Sequence, residues 1–162
     1  FTVNKMGVDL FDFKTKSEEV FKKGKLIKYT SKTVQNKKEK FSNVKIENSK
    51  FIIDGSSFKG EAEEDLLVGT WWNHEIVKAK AQISAISGRI IGQKVTFVGK
   101  EQIEINGKVY NTLHFNFKSS DKTLPDNKKL NTDIWYDEKS YLWVKAAFDK
   151  TGYWEYRIKT FK

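Results

Sequence analysis

The feature that most limits what this chain can fold into is a two-residue alternation of side-chain character. Thr112, His114 and Asn116 alternate with Leu113, Phe115 and Phe117. Successive side chains of a strand point to opposite faces, so this pattern writes one polar and one apolar face. The same period returns in Glu19–Lys22 and Lys25–Val34 on either side of Lys23-Gly24. It returns again at Phe41, Val44 and Ile46, and in Lys100–Ile105 and Lys108–Lys118 around Asn106-Gly107. Asn-Gly is a strong hairpin signal, because both central residues of a type I′ turn need positive φ. Gln35–Lys40 reads as a charged tip, Asp54-Gly55 as the next turn, and Pro125-Asp126 as part of a polar loop. A first strand is expected within Gly7–Lys14. Lys139-Ser140 and Thr151-Gly152 join three final strands into a meander.

Several of these strands carry large residues on both faces. Tyr141 and Trp143 alternate with Leu142 and Val144, and Trp154, Tyr156 and Ile158 oppose Tyr153 and Phe161. A flat sheet with one wet face does not need this. The expected fold is mainly β: a single curved antiparallel sheet forming an incomplete barrel, in one domain over residues 1–162. One stretch departs from period two. Trp72, Ile76 and Ala79 fall at helical spacing, with Thr70 or Asn73 available as a cap. A short helix is predicted over about 71–81, lying on the concave side of the sheet with Trp72 and Ile76 buried against it.

Composition excludes several classes. Aromatic residues make up 14% of the 162, far above what a disordered chain carries. No stretch approaches the roughly 18 consecutive apolar residues of a membrane span; an integral membrane protein is not expected, and peripheral association is compatible. The chain has no Cys, hence no disulfide framework and no thiolate chemistry. Its net charge is +9, yet among 30 cationic residues only Arg89 and Arg157 are Arg. Planar bidentate reading of phosphate favours Arg, so a generic basic surface is expected rather than a specific nucleic-acid site.

No motif names a reaction. His74 and His114 are the only histidines, and neither stands in a metal-binding spacing. No Gly-x-Ser-x-Gly elbow and no Gly-rich phosphate loop before a helix is present. Glu61, Glu63, Glu64 and Asp65 lack the alternation of an EF-hand loop and read as a solvated acidic segment. No catalytic residue, metal or cofactor is therefore expected. The aromatic residues carry more. Trp71, Trp72, Trp135, Tyr141, Trp143 and Trp154 are the candidate ligand-binding residues, lining an apolar pocket between sheet and helix. Core packing is the plainer reading of the same set.

The second half resembles a family of bacterial secreted proteins known only as a domain of unknown function. The resemblance rests on Gly69-Thr70-Trp71-Trp72-Asn73, Gln82-Ile83, Ser87-Gly88 and Gly99-Lys100-Glu101. It continues through Tyr110, His114-Phe115, Ile134-Trp135-Tyr136-Asp137 and Leu142-Trp143-Val144-Lys145. It extends over about 66–161 and is looser before that. Members look like the half-barrel proteins of the bacterial envelope, such as the lipoprotein-localisation factors, in which an incomplete barrel wraps a helix and holds acyl chains. The resemblance implies a periplasmic or secreted protein. A removed signal peptide is one explanation of a chain whose first residue is Phe1. The expected function is non-enzymatic binding of a lipid or other apolar or amphipathic small molecule. The alternative is an interaction module that meets a protein or cell-wall component through its basic surface. A polar cleft holding a His with an acidic partner would instead favour an enzyme.

Overall fold

A computed structural model describes residues 2–5, 8–63, 65–149 and 152–159, with side-chain surroundings from Asp12 onward. The chain is mainly β, as the alternation predicts. It forms two sheets, not the expected single one. The first is an antiparallel meander of β1 (Thr2–Lys5), β2 (Val8–Lys22), β3 (Lys25–Gln35), β4 (Lys38–Glu47), β5 (Lys50–Gly55) and β6 (Lys59–Glu63). The second contains β7 (Leu67–Val68), β8 (Ala81–Ile83), β9 (Ile90–Ile105), β10 (Lys108–Ser119), β11 (Asn131–Asp137), β12 (Trp143–Asp149) and β13 (Tyr153–Arg157). Its order is β13-β12-β11-β10-β9-β8-β7, and it is strongly curled into a half-barrel. The ladder breaks after β6, where Leu66 N–H turns back to the Glu63 carbonyl. Gly69 N–H then bonds the Ile83 carbonyl, so β7 pairs with β8 and not with β6. By compactness the chain divides into residues 1–69 with 83–90, and residues 70–82 with 91–162.

In the first unit the turns are set locally. Lys23 and Gly24 have φ of 50° and 76°, and Asn36 and Lys37 have 48° and 64°. A turn the sequence did not mark comes first, at Asn48-Ser49, with φ of 50° and 59°; the turn expected at Asp54-Gly55 follows between β5 and β6, where Gly55 N–H bonds the Phe58 carbonyl at 2.9 Å. Asn tolerates the left-handed region, so β4 and β5 are joined without a glycine. Gly55 ends β5 for another reason: a Cβ there would lie 2.4 Å from the Ser87 carbonyl oxygen. Tyr29, Val44, Phe51, Ile53, Ala62, Val68 and Ile83 form the apolar core of this unit. Tyr29 and Ser31 both donate hydroxyl hydrogen bonds to the Ala85 carbonyl, at 2.9 and 2.6 Å. The strand expected to begin at Gly7 is β2, and Gly7 itself lies outside the described residues, as do Glu64, Thr151 and Phe161.

In the second unit β9 and β10 meet at Asn106-Gly107, with φ of 54° and 76°, as the Asn-Gly pair predicts. His114 stands opposite Gly99 on β9 and Trp135 on β11, while Phe115 stands opposite Phe97 and Ile134. Residues opposite one another share a face, so the alternation read in β10 continues across its neighbours. Phe117, Ile134, Tyr136, Val144 and Ala146 are buried on this frame.

The helix predicted over 71–81 is not formed. A single 3-10 turn, His74–Lys78, takes its place. The reasons are local and tertiary together. Trp71 has φ of +67°, which no helix interior accepts. Asn73 is extended, with its side-chain oxygen accepting from Glu75 N–H at 3.0 Å, so the turn starts late. Ala79 is again extended. Gln93 on β9 donates both amide hydrogens, to the Ile76 and Ala79 carbonyls, each at 3.0 Å. Its own carbonyl oxygen accepts from Gln82 at 2.8 Å. A buried side chain from a strand thus takes the carbonyls that a continuing helix would use. Ile76 is buried as expected, but Trp72 is 61% exposed, against the expectation.

Candidate functional site

The turn that replaces the helix presents a group of rings on the Phe115 face of the second unit. His74 packs edge-on against Tyr136 at 4.8 Å and Phe115 at 5.8 Å, and lies tilted on Tyr141 at 4.4 Å. Trp72 meets Trp143 edge-on at 5.1 Å, and Phe97 continues the group beyond Phe115 at 5.4 Å. Tyr136 is its fixed point. It is fully buried, burial pushes its phenol well above the ordinary range, and its O–H donates to the Trp71 carbonyl at 3.0 Å. That bond holds Trp71 in its left-handed conformation.

Tyr141 is the second non-glycine aromatic residue at positive φ, 56°. Its position is set by the loop from β11 to β12. Tyr141 N–H bonds the Asp137 carbonyl at 2.9 Å, and Asp137 N–H bonds the Leu142 carbonyl at 2.8 Å. The Asp137 carboxylate accepts from Ser140 N–H at 2.9 Å and Ser140 Oγ at 2.7 Å. Burial pushes this carboxyl up, but the bonds from Ser140 and Lys139, with Lys108 nearby, outweigh it and hold it below the usual carboxylate range. Left-handed aromatic residues cost free energy and persist where the surroundings fix them, commonly at functional sites.

Between these two residues' neighbours lies a groove of about 460 Å³, lined by Trp72, Tyr141, Val109 and Leu142, with Lys108, Asp137 and Ser140 as polar lining. Tyr141 is 50% exposed. On rings packed against this lining are two buried polar atoms, His74 Nε2 and Trp143 Nε1, that have no hydrogen-bond partner among the described residues. Burial pulls the His74 imidazole below its ordinary value, with Glu75 acting against the shift and Lys78 with it.

The opposite face carries a different arrangement. His114 Nδ1 lies 3.1 Å from Glu101 Oε1, and His114 Nε2 lies 2.9 Å from Asp133 Oδ1. Asn116 also donates to Asp133, at 3.0 Å. Trp135 Nε1 donates to Glu101, and Lys145 Nζ sits 4.1 Å from the Trp135 ring centroid. Lys145 pairs with Glu155 at 2.9 Å. Burial alone would raise the Glu155 carboxyl, but hydrogen bonds from Lys145, Tyr153 and Arg157 bring it down to about 2. A second groove, about 430 Å³, runs past His114, Asn116 and Asp133 between Lys94 and Lys118. Among the described residues no group of three or more His, Asp and Glu side chains is placed to hold a metal ion.

Of the six candidate residues, Trp72 and Tyr141 line the first groove, Trp143 packs against Trp72, and Trp71 precedes Trp72 with its carbonyl bonded by Tyr136. Trp135 lies on the other face, and Trp154 stands opposite Phe148 on β12 and β13. The sequence reading placed the Lys139-Ser140 turn and weighed His74, but gave neither of them, nor Val109, a place at a ligand groove. The Asp-x-x-Ser spacing was a visible turn signal; the place of His74 was not, because its ring neighbours come from β10, β11 and the following loop.

The fold and site together define a mainly β half-barrel protein with an exposed aromatic groove. The chain belongs to the family described as Domain of unknown function (DUF6134), whose family model matches residues 1–159. Searches of curated proteins and of solved structures gave no match. Among the described residues no helix is long and apolar enough to cross a membrane.

Proposed function

We propose that this is a non-enzymatic protein of the bacterial envelope, periplasmic or secreted, that binds an amphipathic small molecule in the groove beside Trp72 and Tyr141. One observation carries the reading: two large aromatic rings, 61% and 50% exposed, flank one concavity of about 460 Å³. Burying such rings is favourable, at roughly 25 cal/mol per Å² of apolar area, and a ligand is one means of doing so. Apolar lining with a few polar groups is the usual make-up of a small-molecule site. Lys108, Asp137 and Ser140 supply the polar groups here. The envelope location rests on the sequence resemblance.

The His114 groove raises the enzyme reading, since it pairs a His with an acid. Both imidazole nitrogens, however, already face carboxylates, Glu101 on one side and Asp133 on the other. A general base needs a nitrogen within reach of the substrate's proton. The arrangement reads better as a brace for Trp135.

The test is titration with N-phenylnaphthylamine, an uncharged fluorescent amphiphile. Wild-type protein is expected to enhance its fluorescence saturably, with Trp72→Ala and Tyr141→Ala each weakening binding by about tenfold, the loss of one ring contact. No binding by the wild type, or equal binding by all three proteins, would overturn the proposal. Fractionation of the host cell checks the location separately.

A further inference from the structure

The two unpartnered ring nitrogens specify more than an apolar ligand. Trp143 is only 7% exposed, and its Nε1–H reaches no acceptor among the described residues. His74 Nε2 is likewise buried and unpartnered. Buried polar groups are almost always satisfied, and one left bare costs the desolvation of that group. Two such atoms occur in one layer of rings. Trp143 stands opposite Tyr136 across β11 and β12, and Tyr136 touches the His74 ring. Each of the two rings packs on a residue that lines the groove: Trp143 on Trp72, and His74 on Tyr141. Both lining rings are half exposed or more, so a shift that keeps each in the groove lining would open the ring beside it to a ligand.

Resting on the groove reading above, we infer that the ligand is an uncharged, hydroxyl-bearing amphiphile whose oxygen accepts from Trp143 Nε1–H and bonds His74 Nε2, while its apolar body lies against Trp72 and Tyr141. The chemistry selects a hydroxyl over a carboxylate on three grounds. Indole N–H is a donor only and requires an acceptor oxygen. An imidazole nitrogen is acceptor or donor according to tautomer, and a hydroxyl serves either state. The surroundings of both atoms are aromatic, and burial disfavours charge on His74 itself. A carboxylate placed there would give up its hydration beside aromatic rings, where Lys108 at the groove lining is the ammonium that could offset the loss. A hydroxyl supplies to these atoms what a water molecule would, with an apolar body attached.

The test displaces N-phenylnaphthylamine with dodecanol and, separately, with dodecanoate at pH 8. Dodecanol is expected to compete at least about tenfold better, the worth of one satisfied buried hydrogen bond together with the avoided burial of charge. Trp143→Phe and His74→Phe keep ring packing while removing the nitrogens. Each is expected to lose most of the dodecanol advantage, read as the ratio of the two competition constants within the same variant so that any change in dye affinity cancels. Equal competition by the two compounds, or a preference for dodecanoate, overturns this inference while leaving the groove reading intact, and this arm needs no variant. An unchanged dodecanol advantage in both folded variants also overturns it. Absence of dye binding by the wild type overturns both the groove reading and this inference.

Discussion

The imidazole of His114 lies flat on the indole of Trp135, with 4.1 Å between ring centroids and 17° between planes. The stack is clamped at its edges, because His114 bonds Glu101 and Asp133 and Trp135 Nε1 also donates to Glu101. On its far face Trp135 is covered by the Lys145 ammonium. Four strands, β9 to β12, are thereby tied through side chains as well as through their ladders.

His114→Ala removes the stack and leaves Asp133 with Asn116 as its remaining bonded neighbour on this face. The expected loss is about 1–3 kcal/mol of unfolding free energy, from the stack and the stranded carboxylates together. Urea denaturation measures it. Dye binding at the Trp72 groove is expected to be unchanged, since that groove is on the other face. A variant as stable as the wild type would deny His114 its bracing role.

Two glycines separate backbone strain from steric crowding. Gly107 has φ of +76° and open space where a Cβ would stand. Gly107→Ala should therefore cost only the left-handed penalty of about 1–2 kcal/mol, and Gly107→Val more. At Gly55 a Cβ would instead meet Ser87 O at 2.4 Å and Gly88 Cα at 2.8 Å, both backbone atoms. Gly55→Ala should cost about 3 kcal/mol or more, since backbone must move. Thermal melts rank the two, and the reverse order would refute the close packing at Gly55.

These glycines also show which parts of the fold were legible. The turn at Asn106-Gly107 could be read because its cause is local: two adjacent residues that accept positive φ. Asn48-Ser49 makes the same kind of turn without a glycine and so carries no such signal, whereas Asp54-Gly55 does lead into the β5–β6 turn, at a glycine that close packing also requires. The helix was misread because Trp72, Ile76 and Ala79 do keep helical spacing. What undoes it is partly local, in Trp71 at positive φ and an extended Asn73, and partly distant, in Gln93, which bonds the carbonyls of Ile76 and Ala79. In the same way His114 gains Glu101 and Asp133 from the neighbouring strands, and no spacing within β10 announces them. The aromatic residues pointed to the groove, but their division between two faces depends on register, which a one-residue slip reverses.

Acid should weaken the β12–β13 edge through Glu155. Its carboxyl titrates at about 2 in the folded protein against an ordinary 4.5, because Lys145, Tyr153 and Arg157 favour the ionised form over the opposing effect of burial. As pH falls the unfolded chain takes up this proton first. The contribution is complete above 4.5 and is lost as pH falls through about 2. Glu155→Gln is expected to be less stable than the wild type at neutral pH, with the gap closing as melting temperatures are followed down to about pH 3. A gap that stays constant with pH would show that the ionised carboxylate is not what stabilises the edge.

Salt should act through opposed lysines. Lys16 faces Lys32 and Lys28 faces Lys45 in the first unit, and Lys94 faces Lys118 in the second. Like charges directly across a ladder destabilise by a few tenths of a kcal/mol to about 1 kcal/mol each. Going from about 0.1 M to about 1 M sodium chloride shortens the screening length from about 10 Å to about 3 Å, comparable to the reach between such side chains. Melting temperature should therefore rise with salt. Lys94→Glu turns one repulsion into an attraction, so it should raise the melting temperature at low salt and flatten the salt dependence. Lys50→Glu does the reverse, because Lys50 pairs with Glu61 at 3.2 Å and its replacement faces that carboxylate. The two variants carry the same change in net charge, so any effect of overall charge moves both alike. Opposite shifts at low salt, converging at high salt, are the expected result; parallel shifts would assign the salt response to net charge and not to the facing pairs.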